Sequence, residues 1–293
     1  MTVFRFLPVV VLLLQAVISV RTELVAVPVT VTDARGHQVG GLRQENFRVF
    51  EDGRPQPIAL FHHGDAPITL GLIVDHSQSI RPKRSQLVIA VSTLMRSSRP
   101  DDELFAVAFN ERTSFALPPD RPFTGDANEL EAALIAVPVE GRTALYDGVA
   151  EGLQHLELGH VGRHALIVVS DGGDNASRRT SSDVLALARR TDAVIYAIGL
   201  LGTAPAEEEE DAGLLKRLCK DTGGAAYFPR SASEIVAMAT DLARDLREQY
   251  TLGFMPVERT DGRAFRKIEV KVTASGLGRV HVRTRAGYVK DTP

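Results

Sequence analysis

The chain has 293 residues with a formal net charge of −3, 44% hydrophobic and 24% charged residues, and no tryptophan. That balance excludes a disordered chain, and the missing basic excess and scarce aromatics argue against nucleic acid as a partner. A single cysteine, Cys219, excludes an internal disulfide and a cysteine-cluster zinc site, and the eight histidines show no H-E-x-x-H spacing.

Residues 1–20 begin with a weak positive charge at Arg5, followed by an apolar run from Phe6 to Val20 broken only by Gln15 and Ser19. Such a stretch reads as a signal peptide or an uncleaved N-terminal anchor. It predicts a secreted or periplasmic (cell-envelope) protein that meets a membrane only through this segment if uncleaved. Residues 22–67 then alternate around Val29-Thr30-Val31-Thr32 and Asn46-Phe47-Arg48-Val49-Phe50, with turns at Asp33-Ala34-Arg35-Gly36 and Asp52-Gly53. Period-2 alternation between Asp/Gly turns predicts antiparallel strands.

Over 68–247 the pattern changes. Apolar runs at 68–74, 103–109, 165–169, 194–198 and 225–228 alternate with helical stretches near 87–95, 127–136, 144–158, 182–190, 214–218 and 231–247; 113–117 is expected to pair with the second run. Buried strands alternating with helices predict an α/β fold with a doubly wound, mostly parallel sheet. The acidic run Glu207–Asp211 reads as a solvated loop. Cys219 shares an apolar helical face with Leu215 and Leu218, which predicts a buried, inert thiol. Residues 248–293 return to alternating strands, with turns at Asp261-Gly262 and Ser275-Gly276. The two strand-rich ends are expected to pair into one small β module.

Asp75-His76-Ser77-Gln78-Ser79 directly follows the strand ending at Val74. Doubly wound sheets place ligands at the carboxyl ends of their strands. Thr143, just before a helix, and Asp171, after the strand 165–169, occupy equivalent positions. Asp75, Ser77, Ser79, Thr143 and Asp171 together offer oxygen alone, which suits Mg²⁺, Mn²⁺ or Ca²⁺ rather than zinc or copper.

This set, D-x-S-x-S with a later Thr and a later Asp-Gly, resembles the metal-ion-dependent adhesion site (MIDAS) of von Willebrand factor type A domains. The ends, through Phe47-x-Val49-x-Glu51-Asp52-Gly53, Tyr250-x-Leu252-Gly253-Phe254-x-Pro256 and Arg285-x-Gly287-Tyr288, resemble an exported bacterial group related to those domains and described from acidobacteria. His76 and Gln78 fill the variable positions, and Ile80 stands where Met is frequent. The resemblance implies that Asp75, Ser77 and Ser79 are first-loop ligands, that Thr143 binds directly or through water, and that Asp171 binds mostly through water. It further implies a protein partner that offers Asp or Glu to the ion. Asp147 is expected to brace loops, Asp174 to hold a turn, and Arg142 and His76 to be solvated loop residues, with a place at the rim as the alternative. Asn175-Ala176-Ser177 reads as a chance glycosylation sequon. A non-enzymatic binding module is the leading reading. A scaffold in which the metal only braces the loops comes second, and a metal-dependent hydrolase a distant third, since no G-x-S-x-G, S-x-x-K or P-loop sequence is present.

Overall fold

A computed structural model describes residues 24–201, 205–257, 264–274 and 278–290. The leader at 1–20 and the turns Asp261-Gly262 and Ser275-Gly276 lie outside the described residues. In chain order the elements are β1 (Val25–Thr32), β2 (Phe47–Glu51), β3 (Arg54–Gln56), β4 (Leu60–His63), β5 (Thr69–Asp75), α1 (Arg84–Arg96), β6 (Glu103–Phe109), β7 (Thr113–Phe115), α2 (Ala127–Ala136), α3 (Leu145–Leu156), β8 (His164–Ser170), α4 (Ser181–Arg190), β9 (Val194–Gly199), α5 (Pro205–Thr222), β10 (Ala226–Tyr227), α6 (Ala232–Glu248), β11 (Tyr250–Phe254), β12 (Phe265–Val272), β13 (His281–Thr284) and β14 (Gly287–Val289).

Six strands form the central sheet in the order β10-β9-β8-β5-β6-β7. All pairs are parallel except β6 with β7, which is antiparallel. Every residue of β5 is buried, because the sheet is covered on both faces. Leu70, Leu72 and Val74 pack with α1, α2 and α6, whereas Ile73 packs with α3, α4 and α5. The chain thus alternates its apolar strand residues between two helical layers, as a doubly wound α/β sheet requires. Helix α6 starts where Ser231 caps it by accepting the Glu234 N–H at 3.2 Å.

The ends build two further sheets, β13-β1-β11-β4 and β14-β12-β2-β3. Their pairing is antiparallel throughout, with N-terminal β1 between C-terminal β11 and β13, and N-terminal β2 beside C-terminal β12. Alternate residues Val27, Val29, Val31, Phe47, Val49, Leu252, Phe254, Ile268 and Val270 fill the space between them. Within this small module Glu51 is buried with Arg266 at 3.3 Å and the Tyr288 hydroxyl, which donates to it at 2.5 Å.

The module docks beneath the amino ends of the central strands. Arg163, which precedes β8, donates to the Gly64 carbonyl at 3.4 Å and to the Leu246 carbonyl. Arg285 donates to the Thr191 carbonyl ahead of β9 at 3.0 Å, and Arg283 to the Gly223 carbonyl ahead of β10 at 3.1 Å. Arg283 also pairs with Asp245 on α6. The carboxyl ends of the strands therefore remain clear of the module.

Two expectations need correction. Glu207–Asp211 lie within helix α5 rather than in a loop. Pro205 at the first helical position and the run of glutamates explain why, since both favour a helix start. Strands β3, β4 and β14 also go beyond the strands expected from alternation. Cys219 is buried, and burial pushes its thiol pKa well above the ordinary value, as its apolar setting predicted.

The Glu51 cluster gives a direct test of the module. Glu51→Leu leaves the Arg266 guanidinium buried without its carboxylate and should lower the unfolding free energy by about 3–5 kcal/mol in urea titrations. Tyr288→Phe removes one hydrogen bond to that carboxylate and should cost less, about 1.5–3 kcal/mol.

Candidate metal-binding site

The all-buried strand β5 ends on Asp75, and parallel neighbours β6 and β8 fix it on both sides. The helices that follow β5 and β8 pack on opposite faces of the sheet, α1 on one and α4 on the other. The ends of β5 and β8 therefore flank a crevice of the kind in which open α/β sheets bind ligands.

Asp75 is fully buried, and both of its carboxylate oxygens are in use. Oδ1 accepts the Ser77 N–H at 2.9 Å, and Oδ2 accepts the Ser170 hydroxyl at 2.7 Å. Ser170 Oγ in turn accepts the Gly172 N–H at 3.0 Å. Ser77 stands at the N-cap of a short 3-10 turn, Gln78–Lys83, yet its side chain makes no capping bond. Its hydroxyl lies 2.9 Å from the Ser79 hydroxyl instead. Ser77 is buried and Ser79 exposed, so the pair runs from the interior to the surface.

Backbone and side-chain hydrogen bonds tie the three loops together. The Gln78 N–H donates to the Gly141 carbonyl at 3.0 Å, and the Glu140 N–H to the His76 carbonyl at 2.9 Å. These join the first loop to the one carrying Thr143. The Thr143 N–H donates to Asn175 Oδ1 at 2.9 Å, and its carbonyl accepts the Asn175 N–H at 2.9 Å. Those join the Thr143 loop to the one after β8. The first turn of α3 is capped from that same loop, as Asp174 accepts the Tyr146 N–H at 3.0 Å and Ser177 Oγ the Asp147 N–H at 3.1 Å. Asp147 accepts from the N–H groups of Arg178 and Arg179 at 2.9 and 3.2 Å. Burial works to raise its pKa, but those donors and the Arg179 guanidinium outweigh it and hold the carboxyl below the ordinary range. Asp147 and Asp174 are thus loop braces.

Thr143 and Asp171 are both buried. Asp171 Oδ2 lies 3.4 Å from the Lys83 ammonium. Arg142 is exposed and donates to the Asn175 carbonyl at 3.3 Å, so it does lie at the rim. His76 does not. It is 1% exposed, and the polar contact of its ring is to the Val137 backbone. The His76 N–H donates to the Phe109 carbonyl at 2.7 Å, which continues the strand alternation and turns the ring away from the serines. Burial, with the nearby Arg84 charge, lowers its pKa to about 4, so the ring is neutral.

The electrostatics of Asp75 are those of a carboxylate short of positive charge. Burial raises its pKa from 3.8 to about 6; hydrogen bonds from Ser77 and Ser170 oppose this, and the Asp171 charge adds to it. Among the described residues no group of three or more His, Cys, Asp or Glu is gathered as a metal cluster. The oxygens here are two carboxylates and three hydroxyls. That donor chemistry, beside a buried carboxylate that a cation would relieve, fits a hard divalent ion and not a soft one. The sequence pattern gave no site role to Ser170, Asn175 or Lys83. Ser170 was legible as the residue before Asp171, whereas Asn175 and Lys83 depend on loop paths that spacing does not reveal.

No protein-family model and no curated protein matches the chain. Solved structures do. A von Willebrand factor type A protein from Catenulispora acidiphila matches with TM-score 0.50 and 11% identity, over 93% of this chain and 76% of that one. The proximal thread matrix protein 1 of the mussel byssus matches with TM-score 0.51 and 17% identity, over 67% of this chain and 51% of that one. The pilus adhesin SpaC of Lactobacillus rhamnosus GG, in an open conformation, matches with TM-score 0.51 and 10% identity, over 84% of this chain and 48% of that one. The chain thus spans about half the length of the last two. At these identities the likeness is one of fold: the protein has the von Willebrand factor type A fold, accompanied by antiparallel sheets built from its two ends.

The Asp75 shift has a defined sign. The folded carboxyl is the weaker acid, so between pH 3.8 and about 6 the native state binds more protons than the unfolded state. The stability it contributes is complete below that window and is lost as pH rises through it. In chelator, unfolding free energy should fall by about 2–3 kcal/mol across the window because of this group, at ~1.4 kcal/mol per unit. Asp75→Asn should flatten that part of the profile in urea titrations at pH 4 and 7.

Proposed function

We propose that this protein is a non-enzymatic binding module that holds a divalent cation on Asp75, Ser77, Ser79, Thr143 and Asp171 and uses it to capture an acidic side chain of a protein partner. The observation that carries the reading is the buried Asp75 carboxylate at the end of β5, placed among hydroxyls and a second carboxylate on hydrogen-bonded loops. When bound, the ion would supply an open coordination position to an Asp or Glu of the partner. Mg²⁺ suits this best because it keeps several of its waters, with Mn²⁺ or Ca²⁺ as alternatives.

The chain's own residues account for the remainder. Asp75 supplies the interior charge, and Ser77 and Ser79 carry the oxygen set outward to the surface. Asn175 holds the Thr143 backbone, and Ser170 fixes the rotamer of Asp75. The hydrolase reading loses support from the same geometry. The two serines bond each other, and His76, the histidine within the motif, is buried and turned away from them. A serine nucleophile needs an adjacent base. The bracing reading is weaker too, because hydrogen bonds already join all three loops. A pilus adhesin among the structural neighbours is consistent with a binding role.

We place the protein outside the cytoplasm, secreted or in the cell envelope, on the strength of residues 1–20 and of the resemblance of both ends to the exported bacterial group. Among the described residues no helix is long and apolar enough to cross a membrane.

Calorimetric titration with Mg²⁺, Mn²⁺ and Ca²⁺ tests the reading. Saturable binding is expected for the parent, weakened at least about 100-fold in Asp75→Ala. That exceeds the 10–100-fold typical of losing a residue that only supports a ligand. Equal binding by parent and variant would reject the site.

A further inference from the structure

Lys83 ends the 3-10 turn that follows Ser77, and its ammonium lies 3.4 Å from Asp171 Oδ2. Both side chains are mostly buried, 19% and 11% exposed, so solvent screens the contact only in part. The other cations of this segment are engaged elsewhere. Arg81 donates to the Val139 carbonyl, just past α2, at 3.1 Å, and Arg84 to the Ile135 carbonyl, in the last turn of α2, at 2.9 Å. Lys83 alone turns toward the carboxylates. Among the described residues it is the hydrogen-bonding partner of the Asp171 side chain.

We infer that Lys83 is a built-in competitor of the divalent cation: its ammonium and the ion draw on the same Asp171 carboxylate, so the ion binds fully only when the lysine charge withdraws. The inference rests on the cation site proposed above. An ion held by the five oxygens reaches Asp171 directly or across one water, which brings it within a few ångström of the ammonium. Two positive charges that close, in a partly desolvated crevice, repel far more than they would in open water. Lysine suits the part because it is a compact charge on a flexible four-carbon stem and can leave without dismantling a bidentate fork. The consequence is an ion affinity set below what the oxygens alone would give, so that occupancy responds to the surrounding cation concentration.

The test uses the full chain with Lys83→Met and Lys83→Gln, which remove the charge, and Lys83→Arg, which keeps it. Mg²⁺ and Mn²⁺ titrations should show about tenfold tighter binding for the two neutral variants, and affinity no higher than the parent's for Lys83→Arg. Thermal unfolding adds a signature that a merely structural lysine would not give. In chelator the neutral variants should melt below the parent, because Asp171 loses its counter-charge; in saturating Mg²⁺ the deficit should disappear. If the parent binds too weakly to measure, binding gained by the neutral variants supports the inference, and no binding by any of them overturns it. Unchanged or weaker binding, or an equal melting deficit in both conditions, overturns it as well. Asp75→Ala separates the two failures. If it binds like the parent, the cation site itself is wrong. If it loses binding while the neutral variants match the parent, only the role of Lys83 falls.

Discussion

The constraint on which the site depends is a carboxylate buried where a strand runs out of sheet. Asp75 closes a strand whose every residue is inside, and an isolated charge in such a place is costly. The chain meets that cost with the Ser77 N–H and the Ser170 hydroxyl, yet the carboxyl still holds its proton up to about pH 6. The surrounding loops follow from this. Ser170 must stand at the end of β8 to reach Asp75, and β8 must be the parallel neighbour of β5 for that reach to exist. Thr143 and Asn175 then lock the third loop against the second.

The same sheet has two ends with opposite duties. At the carboxyl ends the loops are polar and joined to each other. At the amino ends arginines 163, 283 and 285 join the central layers to the strand module through backbone carbonyls. Helix α6 follows β10 and runs to the module, where Asp245 meets Arg283 and the chain enters β11. Because N-terminal and C-terminal strands interleave in both outer sheets, neither end can form its half of the module alone. With a single cysteine, the chain gains through this interleaving a closure that other proteins obtain from disulfides.

Much of this was legible in the sequence for definite physical reasons. Strands buried on both faces must be nearly all apolar, so β5, β6, β8 and β9 stood out, and helix α2 could be placed at Ala127–Ala136 from its pattern. The fold class followed from their alternation. The short edge strands did not stand out: β3 contains Pro55 and exposed residues, and β4, Leu60–His63, carries two histidines. The Glu207–Asp211 run is helical although its charge alone suggests a solvated loop, because Pro205 and glutamate's helix preference favour α5. At the site, sequence order brought Asp75 and Asp171 to adjacent loops, because strand ends of a parallel sheet share one edge; Thr143, between α2 and α3, reaches them through backbone bonds to the other loops. The burial of His76 and the placing of Ser170, Asn175 and Lys83 were beyond spacing. They depend on one backbone bond to Phe109 and on loop paths fixed by partners distant in the chain.

The central claim is that the oxygens of Asp75, Ser77 and Ser79 bind a divalent ion directly, and diffraction from crystals grown with Mn²⁺ tests it most directly. An anomalous peak about 2.0–2.3 Å from these oxygens, with Thr143 and Asp171 adjoining it directly or through water, is the predicted result. A crystal at saturating Mn²⁺ with no peak there, or with Asp75 still bonded only to Ser77 and Ser170, would contradict it.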